Sequence, residues 1–218
     1  EIMPSLVGSE MCIRDRVGAG GFHISTGFVG TPIICDALVR AGSMDYAYHL
    51  LLQDELPSWL YPVSMGATTI WERWDSMLPD GSINPGDMTS FNHYALGAVA
   101  DFLHRAVAGL AADAPGWERI RFEPRPGGGL EHAGARYDSV RGTAAISWRR
   151  DGESLSIEVE VPAASAGVLV LPGSAEEIPV GPGRHSFTTT FRAVADDPER
   201  PFFGGRRPEP VLETEGAS

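Results

Sequence analysis

The chain has 218 residues, 43% of them hydrophobic, with 17 Lys+Arg against 29 Asp+Glu and a formal net charge of -12. That composition supports one or two packed cores and excludes a fibrous or wholly disordered chain, while the acidic balance without a basic stripe argues against nucleic acid as a partner. No run of eighteen apolar residues occurs, so no membrane-spanning helix is encoded.

The chain opens without an initiator methionine, and the string Pro4-Ser-Leu-Val-Gly-Ser-Glu-Met-Cys-Ile-Arg-Asp-Arg16 resembles translated sequencing-adapter sequence. Residues 1–16 are therefore expected to be a non-native leader, and the chain reads as the tail of a longer protein. The first helix expected after it covers Thr31 to Arg40, with Ile33, Ile34, Ala37 and Leu38 at helical spacing and Ala41-Gly42 as a stop. A second helix from about Met44 to Asp54 carries Met44, Ala47, Tyr48, Leu51 and Leu52 in one stripe and should pack on the first as a hairpin. From Pro57 to Gly86 the chain is rich in Pro, Gly and Trp and has no period, which predicts a long ordered loop with a short helix near Thr68 to Trp74. A third helix is expected from about Thr89 to Leu110, with Asp87, Thr89 or Ser90 as its N-cap.

After Pro115 the period becomes two. Ile120 and Phe122 alternate with charges, Gly127-Gly128-Gly129 makes a turn, and Ala144, Ile146 and Trp148 lead through Asp151-Gly152 into Leu155, Ile157, Val159 and Val161. An Asp-Gly pair between alternating runs predicts a hairpin. Further strands are expected at Gly167 to Leu171 and His185 to Phe191, and together these predict an antiparallel sandwich over residues 115–192. Trp59, Trp117 and Trp148 read as core residues. Four prolines beyond Arg192 predict a disordered tail over 193–218.

Two blocks carry chemistry. Gly66-Ala-Thr-Thr-Ile-Trp-Glu-Arg-Trp-Asp75 sets one carboxylate, Glu72, among indole rings, and Ser90-Phe-Asn-His-Tyr94 follows it. Indole faces stack on the apolar surface of a sugar, and a carboxylate beside them can activate water at an anomeric carbon. Trp71 and Trp74 flank Glu72, although their spacing does not allow all three on one face. Arg73 could hold a neighbouring carboxylate, and Asp75 could accept a sugar hydroxyl. The six histidines show no ligand spacing, the two cysteines form no zinc pattern, and phosphate-loop, dinucleotide and nucleophile-elbow motifs are missing, so neither metal nor cofactor is expected. The cysteines do not decide between a cytoplasmic and a secreted location.

Together with His23-Ile-Ser-Thr-Gly-Phe-Val-Gly-Thr31, these ordered blocks resemble the α-L-rhamnosidases of glycoside hydrolase family 78. The resemblance covers roughly residues 21–172 and implies an α + β multidomain chain: the end of an (α/α) six-hairpin barrel over 17–114, then a C-terminal β-sandwich. It also implies inverting hydrolysis of terminal α-L-rhamnose from glycosides or polysaccharides, with Glu72 as general base and His93, Trp71 and Trp74 as substrate-binding residues. The family's general acid lies on an acidic, arginine-bearing segment further upstream, and no such segment occurs between Val17 and Thr31. The chain alone is therefore expected to be inactive and to expose apolar helix faces. Another α/α-barrel glycosidase or glycoside phosphorylase, and a non-catalytic carbohydrate-binding or structural module, are the alternatives.

Overall fold

A computed structural model of the chain describes residues 12–192. Residues 1–11 of the expected leader and the tail from residue 193 lie outside them. Residues 12–19 form a helix, α1, whose Ile13 and Val17 pack against the helical core. Helix α2 (Thr31–Arg40) and α3 (Met44–Leu51) make the expected hairpin, with Cys35 and Leu38 of one against Ala47, Tyr48 and Leu51 of the other. Helix α3 stops at Leu51, three residues before the sequence pattern suggested. Leu52 caps it, and the Gln53 carboxamide then bonds the Asp54 and Glu55 amides.

The 57–86 region departs from expectation in two places. A one-turn helix, α4 (Leu60–Ser64), forms where none was anticipated, started by the Ser58 hydroxyl, which accepts from the Tyr61 amide at 3.0 Å. Residues 68–74 are not helical. Their backbone bonds go instead to residues 90–93, and that pairing also delays the third helix. Thr89 and Ser90 are not helical, none of Asp87, Thr89 and Ser90 caps the helix, and the first helical turn is a 3₁₀ turn at Ala95–Ala98. It continues as α5 (Val99–Phe102) and a π-helical stretch, Leu103–Ala108, ending at Gly109.

Eight strands follow, in two four-stranded sheets. The first has the order β1-β2-β6-β7, from β1 (Leu110–Ala112), β2 (Arg119–Phe122), β6 (Ala166–Val170) and β7 (Glu177–Val180). The second has the order β3-β4-β5-β8, from β3 (His132–Ser139), β4 (Gly142–Asp151), β5 (Ser154–Val161) and β8 (Gly183–Thr190). All pairs are antiparallel except β2 with β6, which is parallel. Strand β3 escaped the sequence pattern because it is an edge strand with Gly134, Arg136 and Asp138 facing out, which leaves no apolar run. The β4–β5 hairpin forms in the expected place, but Asp151 pairs with Ser154, so Gly152 (φ 58) takes the first central position rather than the second. The inward residues Phe122, Ile146, Trp148, Leu155, Ile157 and Leu169 fill the space between the sheets.

Trp59 and Trp148 are buried as expected. Trp117 is half-buried and precedes β2 in a 3₁₀ turn rather than beginning the strand, its ring stacked on Tyr137 at 4.3 Å.

The helical and β parts are joined by specific contacts. The Tyr48 hydroxyl donates to the Arg125 carbonyl at 2.6 Å, and the Trp148 indole N–H donates to the Val107 carbonyl at 2.9 Å. Gly127 and Gly128 lie against the Tyr48 ring so closely that a Cβ at either would come within 2.4 or 2.6 Å of it. Leu130 and Ala133 touch both cores. Val29, Ile33 and Val63 are 90%, 62% and 61% exposed.

Burial, with Asp36 adding to it, pushes the Cys35 thiol up to about 12. The thiolate is the reactive form. Iodoacetamide at about pH 8 should therefore alkylate exposed Cys12 and leave Cys35 untouched until the chain is unfolded. Peptide mass mapping reads this, and prompt labelling of native Cys35 would show that the α2–α3 core is open.

Candidate active site

The three motif blocks, separated by up to about sixty residues, meet in one place. The Glu72 amide donates to the Ser90 carbonyl at 2.8 Å and the His93 amide to the Ile70 carbonyl at 2.8 Å, an antiparallel pairing of two loop segments. The Thr69 hydroxyl adds a bond to the Phe91 carbonyl. Strand-like spacing then does what sequence distance cannot, and sets Glu72 and His93 on neighbouring segments.

The Glu72 side chain is half-buried, and its Oε2 accepts from the Ser90 amide at 3.2 Å. One carboxylate oxygen is thus held and the other has no protein partner among the described residues. Arg73 does not touch Glu72. It forms a forked pair with Asp75 (Nε to Oδ1 2.6 Å, Nη2 to Oδ2 3.1 Å) and donates to the Asp87 carbonyl at 3.2 Å. The bond to Asp75 raises the Arg73 pKa above its ordinary value. Asn84 donates to the same Asp75 carboxylate at 2.8 Å, so Asp75 is occupied in tying the loop together. The neighbouring carboxylate that Arg73 holds is therefore Asp75.

His93 lies two residues before the 3₁₀ turn rather than in the first turn of a helix. Its Nδ1 accepts from the Ala95 amide at 3.3 Å. A ring nitrogen that accepts carries no proton, so the neutral imidazole bears its hydrogen on Nε2 and can donate there. The ring is sandwiched between Phe28 (centroids 5.0 Å apart, 15° between planes) and Tyr94 (5.3 Å, 6°). Phe28 belongs to the His23–Thr31 block, so this stack brings the first block to the third. Tyr94 is 88% exposed.

Trp71 is buried, edge-on to Phe91 at 5.1 Å, and Trp74 is half-buried, edge-on to Trp59 at 5.8 Å. The Trp59 indole N–H is satisfied by the Leu96 carbonyl at 2.9 Å. Trp59, Trp71 and Trp74 line a pocket of about 240 Å³ with Pro62, Ile70 and Leu96, and neither Glu72 nor His93 contributes to its wall. The structure thus pairs the segments that carry Glu72 and His93, Glu72 against Ser90 and His93 against Ile70, and gathers the three indoles around a separate pocket. Among the described residues no group of three or more His, Cys, Asp or Glu is placed to hold a metal ion. Phe28 and Thr69 were not singled out from sequence, and Ser90 only as a possible N-cap; all sit inside the quoted blocks, but their roles come from contacts across 65, 22 and 18 positions.

Residues 9–107 match the model of the bacterial α-L-rhamnosidase six-hairpin glycosidase domain, and residues 109–186 match that of the bacterial α-L-rhamnosidase C-terminal domain. The chain belongs to the bacterial α-L-rhamnosidase family. Among curated α-L-rhamnosidases it is 38% identical to one from Streptomyces avermitilis over 156 residues, covering 72% of this chain and 15% of that protein. It is 36% identical to one from Formosa agariphila over 160 residues, covering 73% and 17%. The chain thus spans 15% to 17% of the length of these relatives. The crystal structure of native α-L-rhamnosidase from Aspergillus terreus is similar over 84% of this chain and 21% of that one, with a TM-score of 0.81 and 42% identity. The S. avermitilis α-L-rhamnosidase complexed with L-rhamnose is similar over 80% and 19%, with a TM-score of 0.75 and 35% identity. Both solved α-L-rhamnosidases therefore share the arrangement of helices followed by two sheets.

If the pairing of the two loops is what holds the rhamnosidase blocks together, the Glu72 and His93 amides should exchange with solvent more slowly than those of their loop neighbours. Thr69→Val removes the Phe91 bond and should speed exchange at both about fivefold, the equivalent of one neutral hydrogen bond. Hydrogen exchange followed by NMR checks this, and unchanged protection would mean that the pairing does not depend on Thr69.

Proposed function

We propose that this chain supplies the general-base side of an inverting α-L-rhamnosidase acting on terminal, non-reducing α-L-rhamnose in glycosides or polysaccharides. The single observation that supports the reading is the pairing of the two loop segments that carry Glu72 and His93, through Glu72 to Ser90 and His93 to Ile70. Glu72 has one oxygen tethered to the Ser90 amide and the other without a protein partner, as a base that must receive a proton from water requires. In an inverting glycosidase the water attacks the face of the sugar opposite the leaving group, with acid and base about 6.5–9.5 Å apart to admit it.

His93 fits the role of a sugar contact, since its Nε2–H is directed by the Ala95 bond and its ring by the Phe28 and Tyr94 stack. Trp71 and Trp74 form the apolar wall behind the base; Trp71 is buried, so contact with sugar falls to the half-buried Trp74. Asp75 does not serve as the acid, because Arg73 and Asn84 already occupy its oxygens. The acid comes from a part of the barrel outside residues 12–192, and the chain alone is inactive on this reading. No cofactor enters the reaction.

The test is an enzyme that carries this chain within a complete barrel, assayed on an aryl α-L-rhamnoside beside its Glu72→Gln variant. The variant should lose at least about a thousandfold in kcat, roughly 4 kcal/mol of transition-state stabilisation. His93→Ala should raise KM more than it lowers kcat. An active enzyme indifferent to Glu72→Gln would remove the base from this position, and hydrolysis of glucosides but not rhamnosides would point to a different barrel glycosidase.

A further inference from the structure

The outward face of the β3-β4-β5-β8 sheet carries a second concavity, about 530 Å³, remote in the fold from the Glu72 loop. Its floor is set by one cross-strand row, Gly134, Ser147, Glu158 and Ser186, one residue from each strand in register. Small side chains at three of the four positions sink the middle of the face. The row crosses four strands, so the trough is about 14 Å long. Such a length accommodates an extended chain of several small rings and exceeds one monosaccharide.

The chemistry of the lining restricts what can fill it. Arg136 and Arg184 are balanced by Glu158 and Glu160, so the trough has no net charge. The arginines are also engaged, Arg184 with Glu160 at 3.3 Å and Arg136 with Asp138 at 3.1 Å, which leaves little to attract an anion. Glu158, Ser147 and Ser186 are exposed, and among the described residues they have no side-chain hydrogen bond or ion pair. The floor thus offers a free carboxylate between two free hydroxyls. A carboxylate can accept from two neighbouring hydroxyls at once, the pattern that vicinal sugar hydroxyls present. A peptide adding as a strand is a poor fit, because the backbone of the inner strands β4 and β5 is already paired on both sides.

We propose that this trough is a second glycan-binding site that takes an extended, uncharged stretch of a rhamnose-containing polysaccharide. The proposal rests on the reading of the chain as part of a rhamnoside hydrolase. Such a site keeps the polymer on the protein while its terminal sugar is cut elsewhere, and the effective concentration at the Glu72 loop rises without any new contact there.

The test is a titration of the isotopically labelled full chain, followed by amide NMR, with three probes: a linear uncharged rhamno-oligosaccharide, free L-rhamnose and an oligogalacturonate. The rhamno-oligosaccharide should move the amide signals of Gly134, Ser147 and Ser186, and Glu158→Ala should weaken that binding about tenfold, as loss of a charge-assisted hydrogen bond does. Ser147→Arg, which fills the floor from an exposed position, should abolish it. No movement of these signals at millimolar oligosaccharide, or tighter binding of the anionic oligogalacturonate, would overturn the proposal. Free L-rhamnose moving the trough signals as strongly as the oligosaccharide would overturn the extended site. The base assignment is tested separately by Glu72→Gln in the complete-barrel enzyme, so an unaffected Glu72→Gln variant beside moving trough signals would retain the trough and refute the base assignment.

Discussion

Two amide-to-carbonyl hydrogen bonds, from Glu72 to Ser90 and from His93 to Ile70, hold together the two loop segments of the candidate site. They pair two loop segments that have no regular structure of their own, and they impose strand-like spacing where the sequence gives no strand signal. The same bonds deny the first segment a helix and postpone the start of the next helix to Ala95. Glu72 then has its carboxylate tethered by the very residue whose carbonyl accepts its amide, so its backbone and side chain are fixed by one partner. A site built this way is pre-organised by main chain, which substitutions at neighbouring side chains disturb little.

The loop in turn relies on what surrounds it. Arg73, Asp75 and Asn84 form a charge-assisted clamp that ties residues 73–75 to 84–87. Trp59, Trp71 and Trp74 back the loop with large apolar surfaces, and the Trp59 N–H ends on the Leu96 carbonyl in the first turn of the following helix. At the end of that helix Val107 accepts from Trp148, and Arg125 accepts from Tyr48, so the sandwich is attached to the helices by one buried and one part-buried hydrogen bond from aromatic side chains. Buried bonds of this kind are costly to leave unmade, which makes the junction specific as well as adhesive.

Much of this was legible in the residues. Helices α2 and α3 and the strands containing Ile146, Trp148, Ile157 and Val159 follow from periodicity, because each buries one face and exposes the other. The motif blocks marked Glu72 and His93 as candidates, and the backbone bonds bring their two segments together. What was not legible depended on partners far along the chain. The stretch from Thr68 to Trp74 has acceptable helical residues, and only the competing bonds from 90–93 make it a loop. Strand β3 lacks an apolar run because it is a charged edge. The Phe28 stack on His93 joins residues whose types alone carry no sign of pairing, whereas the Arg73 hold on a neighbouring carboxylate was legible and only its partner, Asp75, was not. The sequence reading also placed glycine at the second central position of the 151–154 hairpin, where register puts it first.

The central claim is that Glu72 and His93 face one sugar from neighbouring segments. A crystal structure of a complete-barrel enzyme carrying this chain, soaked with L-rhamnose, tests it most directly. The account requires a water within about 2.6–3.2 Å of the untethered Glu72 oxygen on the anomeric face, and His93 Nε2 within hydrogen-bonding distance of a rhamnose hydroxyl. Rhamnose bound with Glu72 turned away from its anomeric carbon would contradict the account.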